Sequence, residues 1–152
     1  MYDIRPATVG DAAIVTVHRH RMFLAMGRED DGRLREMTTR FLPWVRDAIA
    51  GGRYLGLLAT TADTVAAGVG MMLLDWAPGP NDPGTVRAYL LNVYTEPEHR
   101  RRGLARRLVQ AALDEARVRG IKVVALHASP EGKPLYEELG FRDTNEMYRI
   151  EP

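Results

Sequence analysis

Cysteine is absent from this chain of 152 residues. That excludes disulfides, thiolate-held metal and a cysteine-linked covalent intermediate, and it suits a reducing compartment. Long apolar runs are missing too: none approaches the roughly 20 residues that cross a bilayer. The opening Met-Tyr-Asp-Ile-Arg-Pro lacks the apolar core of a secretion signal. A cytoplasmic protein with no membrane partner is therefore expected. Neither sign of charge dominates, since 21 Lys+Arg against 20 Asp+Glu leave +1, so a general attraction for nucleic acid is not expected. No repeat or low-complexity tract occurs. No His/Asp/Glu spacing suits a metal, and His18 and His20, at i,i+2 on a helix, diverge.

What is present reads as one domain, residues 1–152, with 45% apolar and 27% charged residues, enough to bury a real core. A first strand is expected over Tyr2–Ala7, with Thr8 or Asp11 capping a helix over Ala12–Met26. A second helix, Arg33–Ala50, places Leu34, Met37, Phe41, Val45 and Ala48 on one face. Pro43 is expected to kink or divide it, and Gly51-Gly52 ends it. Tyr54–Thr61 and Val65–Trp76 read as a hairpin. Ala77–Gly84 is a Pro/Gly loop of the kind that carries function. Then follow strand Val86–Thr95, helix Gly103–Arg119, strand Val123–His127, helix Lys133–Leu139 and strand Phe141–Ile150. A strand–helix–strand connection of that length implies a parallel pair with a right-handed crossover. The fold class is α/β, a mixed sheet with helices on both faces.

The local chemistry concentrates after Thr95. Arginines 100, 101, 102, 106 and 107 crowd one turn, and no carboxylate occurs between His99 and Leu113. A strand, a glycine turn and a helix N-terminus gather free backbone N–H groups where the helix dipole favours negative charge. Gly103 has no Cβ to obstruct approach, and Ala105 is the next smallest residue. The turn therefore suits a diphosphate.

Arg100-x-x-Gly103-x-Ala105 resembles the Arg/Gln-x-x-Gly-x-Gly/Ala pyrophosphate loop of the GNAT acetyltransferase superfamily. Val93-Tyr-Thr-Glu-Pro97-Glu-His-Arg100 resembles that family's approach strand. Ser129-Pro-Glu-Gly-Lys-Pro-Leu-Tyr136-Glu-Glu-Leu-Gly140-Phe141 resembles its second signature, a helix ending in Leu-Tyr-Glu-x-x-Gly-Phe. The match covers roughly Tyr89 to Tyr148. It implies an N-acetyltransferase that moves an acetyl group from acetyl-CoA directly to a primary amine of a small molecule or peptide in a ternary complex, with no metal. It implies a mostly antiparallel sheet in which the strands ending at Thr95 and His127 splay apart. Residues 1–85 would then form the acceptor side and 86–152 the acetyl-CoA side. Val93 and Thr95 would offer backbone groups to the pantetheine arm, and Arg100, Arg101, Arg102, Gly103, Leu104, Ala105 and Arg106 would cradle the pyrophosphate. Members often dimerise, so a homodimer is one implied assembly. The chain departs from the family in having Ser129 where many members carry Asn, seven residues before the tyrosine, and Gly132 where they carry Ala. Ser129 can still bind the pantetheine arm or cap the last helix.

Acetyl transfer needs a donor for the leaving thiolate and an acceptor for the amine's proton. Tyr136, a phenol protonated at neutral pH, is the candidate donor; packing beside Leu135 and Leu139 is its plain alternative. The base is open. Val86–Thr95 holds no carboxylate. Asn92 would orient water or the amine, with Tyr94 on the same strand face. His127 at the mouth of the cleft has a suitable pKa. Glu96 lies past the strand's end, and ordered water is a further route. The acceptor pocket is expected from the first two helices and the Pro/Gly loop. His18, His20, Arg21 and Arg28 make that side basic, which suits an acceptor with a carboxylate, while Arg19 and Arg21 read as a solvated face. Met22, Phe23 and Met26 either line an apolar wall or pack in the core. The competing classes are a non-catalytic CoA-binding or regulatory module, suggested by the missing strand carboxylate, and a nucleic-acid binder using Arg100–Arg107, which the balanced charge opposes.

Overall fold

The computed structural model describes residues 1–152. Its strands are β1 (Asp3–Pro6), β2 (Tyr54–Thr60), β3 (Val65–Asp75), β4 (Val86–Thr95) and β5 (Val124–Leu126). Its helices are α1 (Ala12–Ala25), α2 (Gly32–Ala50), α3 (Leu104–Val118) and α4 (Lys133–Glu138). The five strands lie in the order β1-β2-β3-β4-β5. All neighbours are antiparallel except β4 and β5, which are parallel because α3 carries the chain across between them.

Each face of the sheet buries a helical layer. On one face, α3 turns Leu104, Leu108, Val109, Ala112 and Ala116 onto Ala67, Val69 and Met71 of β3 and Ala88 and Leu90 of β4. On the other, Val15 of α1 and Phe41, Val45 and Ala48 of α2 pack on Tyr54 and Leu58 of β2. Asp31 starts α2 by accepting the Leu34 N–H at 3.0 Å. Of the kink or division expected at Pro43, the division does not occur: α2 runs through Pro43 as one helix. Pro43 and Thr39, whose carbonyl loses its donor, both face solvent, where water can take that carbonyl. At the β1–α1 corner the Arg5 guanidinium forks onto Asp11, which also accepts the Thr8 N–H, and this holds the Asp11 carboxyl down at about 2.

Strand β4 departs from regular pairing on both of its edges. Opposite Gly68–Gly70 of β3 it carries one extra residue, so Gly68 pairs with Tyr94 and Gly70 with Leu91. The bulge contains Asn92, whose φ of 57 is left-handed. Leu91 packs toward α1 and α2, and Asn92 bonds on that same side. In addition, pairing with β5 ends at Leu90–Leu126 while β4 continues to Thr95. The expected splay is therefore present.

The expected last strand, Phe141–Ile150, does not form: the chain after α4 has neither helix nor strand. Phe141 packs edge-on against Tyr136, but Arg142–Glu146 is uniformly polar, and Met147, Tyr148 and Ile150 are exposed. With no apolar face to bury, the segment has nothing to pin its register.

Candidate active site

The turn after β4 leaves a run of backbone amides without partners beside an open cavity. Arg101 and Gly103 both adopt left-handed φ, 61 and 73, which rolls successive amides toward one side. The amides of Arg101 through Arg106 find no acceptor within the chain, whereas Arg107 N–H already bonds the Gly103 carbonyl. A Cβ at Gly103 would meet nothing within 4 Å, so that side lies open to a ligand. Leu104 is fully buried and anchors the start of α3 in the core. The turn lines a cavity of about 380 Å³ with Thr95, His99, Arg100, Arg101, Gly103, Leu104, Ala105, Arg106 and Leu135 around it. Arg102 is exposed and does not line it. Arg106 is tied to Glu138 of α4.

Thr95 and Arg100 are shared with a second, larger cavity of about 850 Å³ in the gap between β4 and β5. Arg100 donates from Nε to the Thr95 carbonyl at 3.0 Å, and its guanidinium lies over the Tyr94 ring. Of the residues expected here, Asn92, Val93, Thr95, His127, Ser129 and Tyr136 all line this larger cavity. Ser129 Oγ accepts the Gly132 N–H at 3.1 Å, which braces the turn into α4. Gly132 leaves little room for an alanine, since a Cβ there would stand 3.0 Å from the Tyr136 ring. Tyr136 is 9% exposed and has no hydrogen-bond partner within the chain, and burial pushes its phenol up, keeping it protonated. His127 sits exposed at the mouth, its Nδ1 against the Tyr89 hydroxyl and its ring between those of Tyr89 and Tyr148.

Asn92 has both ends of its amide engaged. Its Nδ2 donates to the Tyr54 hydroxyl at 2.9 Å, and its Oδ1 accepts from Arg19 at 2.6 Å. Tyr54 is 1% exposed, and burial pushes its phenol up to about 12. Its ring fits only because residue 70 is glycine: a Cβ there would fall 2.0 Å from the Tyr54 oxygen. Tyr94 donates to Glu96 Oε2 at 3.3 Å. Glu96 also pairs with Arg21 and lies 3.4 Å from His18 Nε2. It sits outside the cavity wall, to which Tyr94 connects it.

The acceptor side differs from expectation in three ways. Arg19 is not a solvated residue: it lines the cavity with its Nε sealed from water, and desolvation pulls its pKa down. His18, His20, Arg21 and Arg28 do not line it. His18 is buried against Glu96, His20 bonds Thr38 at 2.7 Å, Arg21 holds Glu96, and Arg28 borders a separate pocket beside α2. Third, the Pro/Gly loop contributes nothing; the apolar wall comes instead from Met22 and Phe23 of α1, Met26 just past its end, Phe41 and Trp44 of α2, and Met72 of β3. Arg19, Tyr54, Gly70 and Trp44 thus join the site without a local motif to announce them. A faint signal exists for the bulge, since Asn is a non-glycine residue that tolerates left-handed φ and here interrupts the apolar run Leu90-Leu91-Asn92-Val93.

The sequence model of the Acetyltransferase (GNAT) family matches residues 18–141. A GCN5-related N-acetyltransferase from Ralstonia eutropha JMP134 superposes with a TM-score of 0.93 at 35% identity, over 99% of this chain and 98% of its own. A protein of Clostridium acetobutylicum described as a predicted acetyltransferase, solved with acetyl-CoA, shares the fold with a TM-score of 0.91 at 24% identity, over 99% of this chain and 96% of its own. The ribosomal protein bS18-alanine N-acetyltransferase of Salmonella typhimurium is 30% identical over 115 residues, 71% of this chain and 70% of that enzyme.

Proposed function

This chain belongs to the GNAT acetyltransferase family and is an acetyltransferase, and from that premise we propose that it transfers the acetyl group of acetyl-CoA directly to a primary amine of a small molecule or peptide in a ternary complex. The observation that carries the reading is the run of unpaired amides from Arg101 through Arg106, opening beside a cavity in the gap of the sheet. Those amides, with Arg100 and Arg101, hold the pyrophosphate. The pantetheine arm lies along β4, where Val93 and Thr95 have no partner from β5, and Ser129 lines the opposite side. Arg100 spans both cavities, so it links phosphate binding to the placement of the thioester. Residues 86–152 supply this half, and residues 1–85 supply the apolar acceptor wall.

In the transfer step the amine lone pair attacks the thioester carbonyl carbon, the new C–N bond forms, and the C–S bond breaks. The leaving thiolate takes the Tyr136 proton, which burial keeps in place at neutral pH. The proton lost by the amine moves to the Tyr94 oxygen as Tyr94 passes its own proton to Glu96, along the hydrogen bond already present. His127, exposed at the mouth of the same cavity, is the second candidate to take that proton. Asn92 acts on the acceptor through Arg19. Lack of cysteine leaves no thiol for an acyl-enzyme and supports direct attack. No helix is long and apolar enough to cross a membrane, which is compatible with the proposed cytoplasmic setting.

Calorimetry with acetyl-CoA followed by thiol release over a panel of amines tests the reading. Saturable binding with release for at least one amine is expected. Binding without release from any amine would favour the non-catalytic module, and no binding at high micromolar ligand removes both.

A further inference from the structure

The acceptor end of the larger cavity has one unusual occupant. Met22, Met26, Trp44 and Met72 make it apolar, yet Arg19 projects its charge among them. A guanidinium drawn out of water normally finds a carboxylate. Two residues further along α1, Arg21 does so with Glu96. Arg19 makes no ion pair; its only hydrogen bond goes to the neutral Asn92 oxygen, and its Nε is sealed and unpartnered. The rings of Phe23 and Phe41, with centroids 5.0 and 4.9 Å from its central carbon, hold it in place by cation–π attraction. The protein thus fixes a positive group in an apolar chamber and supplies no anion for it.

We infer that the acceptor brings that anion: its class is a hydrophobic α-amino acid or close analogue, with the carboxylate on Arg19 and the apolar side chain against Trp44, Phe41 and the methionines. The geometry agrees with the position of the amine. Arg19 is bonded to Asn92, which sits in the bulge just where β4 leaves β5. In an α-amino acid the amine stands one carbon from the carboxylate, so an acid seated on Arg19 presents its nitrogen to the gap where the thioester arrives. The same charge excludes polycations. Polyamines and aminoglycosides would bring ammonium groups against Arg19, and the one acid lining the cavity, Glu131, is exposed in the turn before α4. A peptide N-terminus, whose neighbouring carboxyl is an amide, would leave Arg19 without its partner. The fate of the amine rests on the proposed acetyl transfer; the binding of the acid does not.

The test is therefore a binding measurement first. With the protein saturated by CoA, calorimetry compares 3-phenylpropionate, its neutral amide 3-phenylpropanamide, and spermidine. The acid is expected to bind at least tenfold more tightly than the amide, with spermidine weakest. Arg19→Gln is expected to remove that preference, so that acid and amide bind alike; Arg19→Lys restores part of it. Equal affinity for acid and amide in the wild type, or tighter spermidine, overturns the inference without recourse to any variant. Thiol release then compares L-phenylalanine with L-phenylalaninamide, where a KM at least tenfold lower is expected for the acid. Acid-selective binding with no release from any amine sinks the transfer reading and leaves this one standing. Release that favours the amide or a peptide N-terminus, without acid-selective binding, does the reverse.

Discussion

Tyr136 lies in the cavity wall with no partner for its hydroxyl, and burial holds its proton on. Replacing it by Phe removes one oxygen from a site otherwise defined by packing against Phe141. Acetyl-CoA affinity should stay within about twofold, while the single-turnover rate falls about 10²-fold or more, the scale of a lost general acid. An unchanged rate assigns Tyr136 to packing. A parallel loss belongs to Glu96: Glu96→Gln should lower the rate by tenfold or more with normal acetyl-CoA binding, and a normal rate would direct the amine's proton elsewhere. His18 leaves a different mark. It is 2% exposed, and desolvation pulls its pKa below the ordinary 6.5, helped by Arg21 and opposed by Glu96 and the Val65 backbone. The unfolded chain therefore binds a proton that the folded chain resists. Stability contributed by neutral His18 is present above pH 6.5 and drains away as pH falls below it toward the depressed folded value. Urea unfolding at pH 7.5 and 5.5 should show a drop that shrinks in His18→Leu; an equal drop in both proteins removes His18 as the cause.

At the level of elements, the β4 bulge links the fold to the site. Asn92 holds a left-handed backbone because Tyr54 and Arg19 grip its side chain, and Tyr54 reaches it across the space that Gly70 leaves. Gly70→Ala would set a methyl 2.0 Å from the Tyr54 oxygen, so the ring must move. The expected cost is about 1–3 kcal/mol of stability by overpacking, with a raised acceptor KM and near-normal acetyl-CoA affinity, since the turn proposed to hold the phosphates lies beyond the disturbance. Urea unfolding and steady-state kinetics check it, and a KM that does not move separates the bulge from acceptor binding. Such long-range dependence marks the limit of what the sequence discloses. The turn after β4, proposed to hold phosphate, is legible as a glycine turn into a helix because its parts are local: Gly103, the arginines and the start of α3 lie within a few residues of one another. Arg19 is not, because an arginine on α1 looks solvated until β4 and α2 close over it. The expectation of a strand over Phe141–Ile150 fails for a related reason. Its scattered Met147, Tyr148 and Ile150 imitate a strand pattern, but no partner face exists to bury them. Pro43 leaves α2 intact because a helix tolerates proline where the freed carbonyl meets water.

Across the whole molecule, two cores grip the sheet from opposite faces while β4 and β5 part beyond Leu90. The edge of β4 exposed in that gap cannot gain from strand pairing, and the amides of Arg101–Arg106 remain unpaired. Acetyl-CoA would satisfy both at once, by pairing its amides with the strand edge and its phosphates with the turn, so binding should brace the sheet as well as load the site. At a free concentration of 100 times Kd the linkage is worth about 2.7 kcal/mol, or roughly 5–10 °C in Tm for a chain of this size. Gly103→Val separates the bracing from the fold's own stability. A β-branched residue at φ 73 strains the turn, and its side chain fills the open space toward the phosphate. The variant's unliganded Tm should fall by a few degrees, and the ligand increment at the same acetyl-CoA concentration should nearly vanish. Differential scanning calorimetry with and without acetyl-CoA reads both quantities. If the increment survives intact in Gly103→Val, the phosphates are held elsewhere and the turn after β4 is only a helix start.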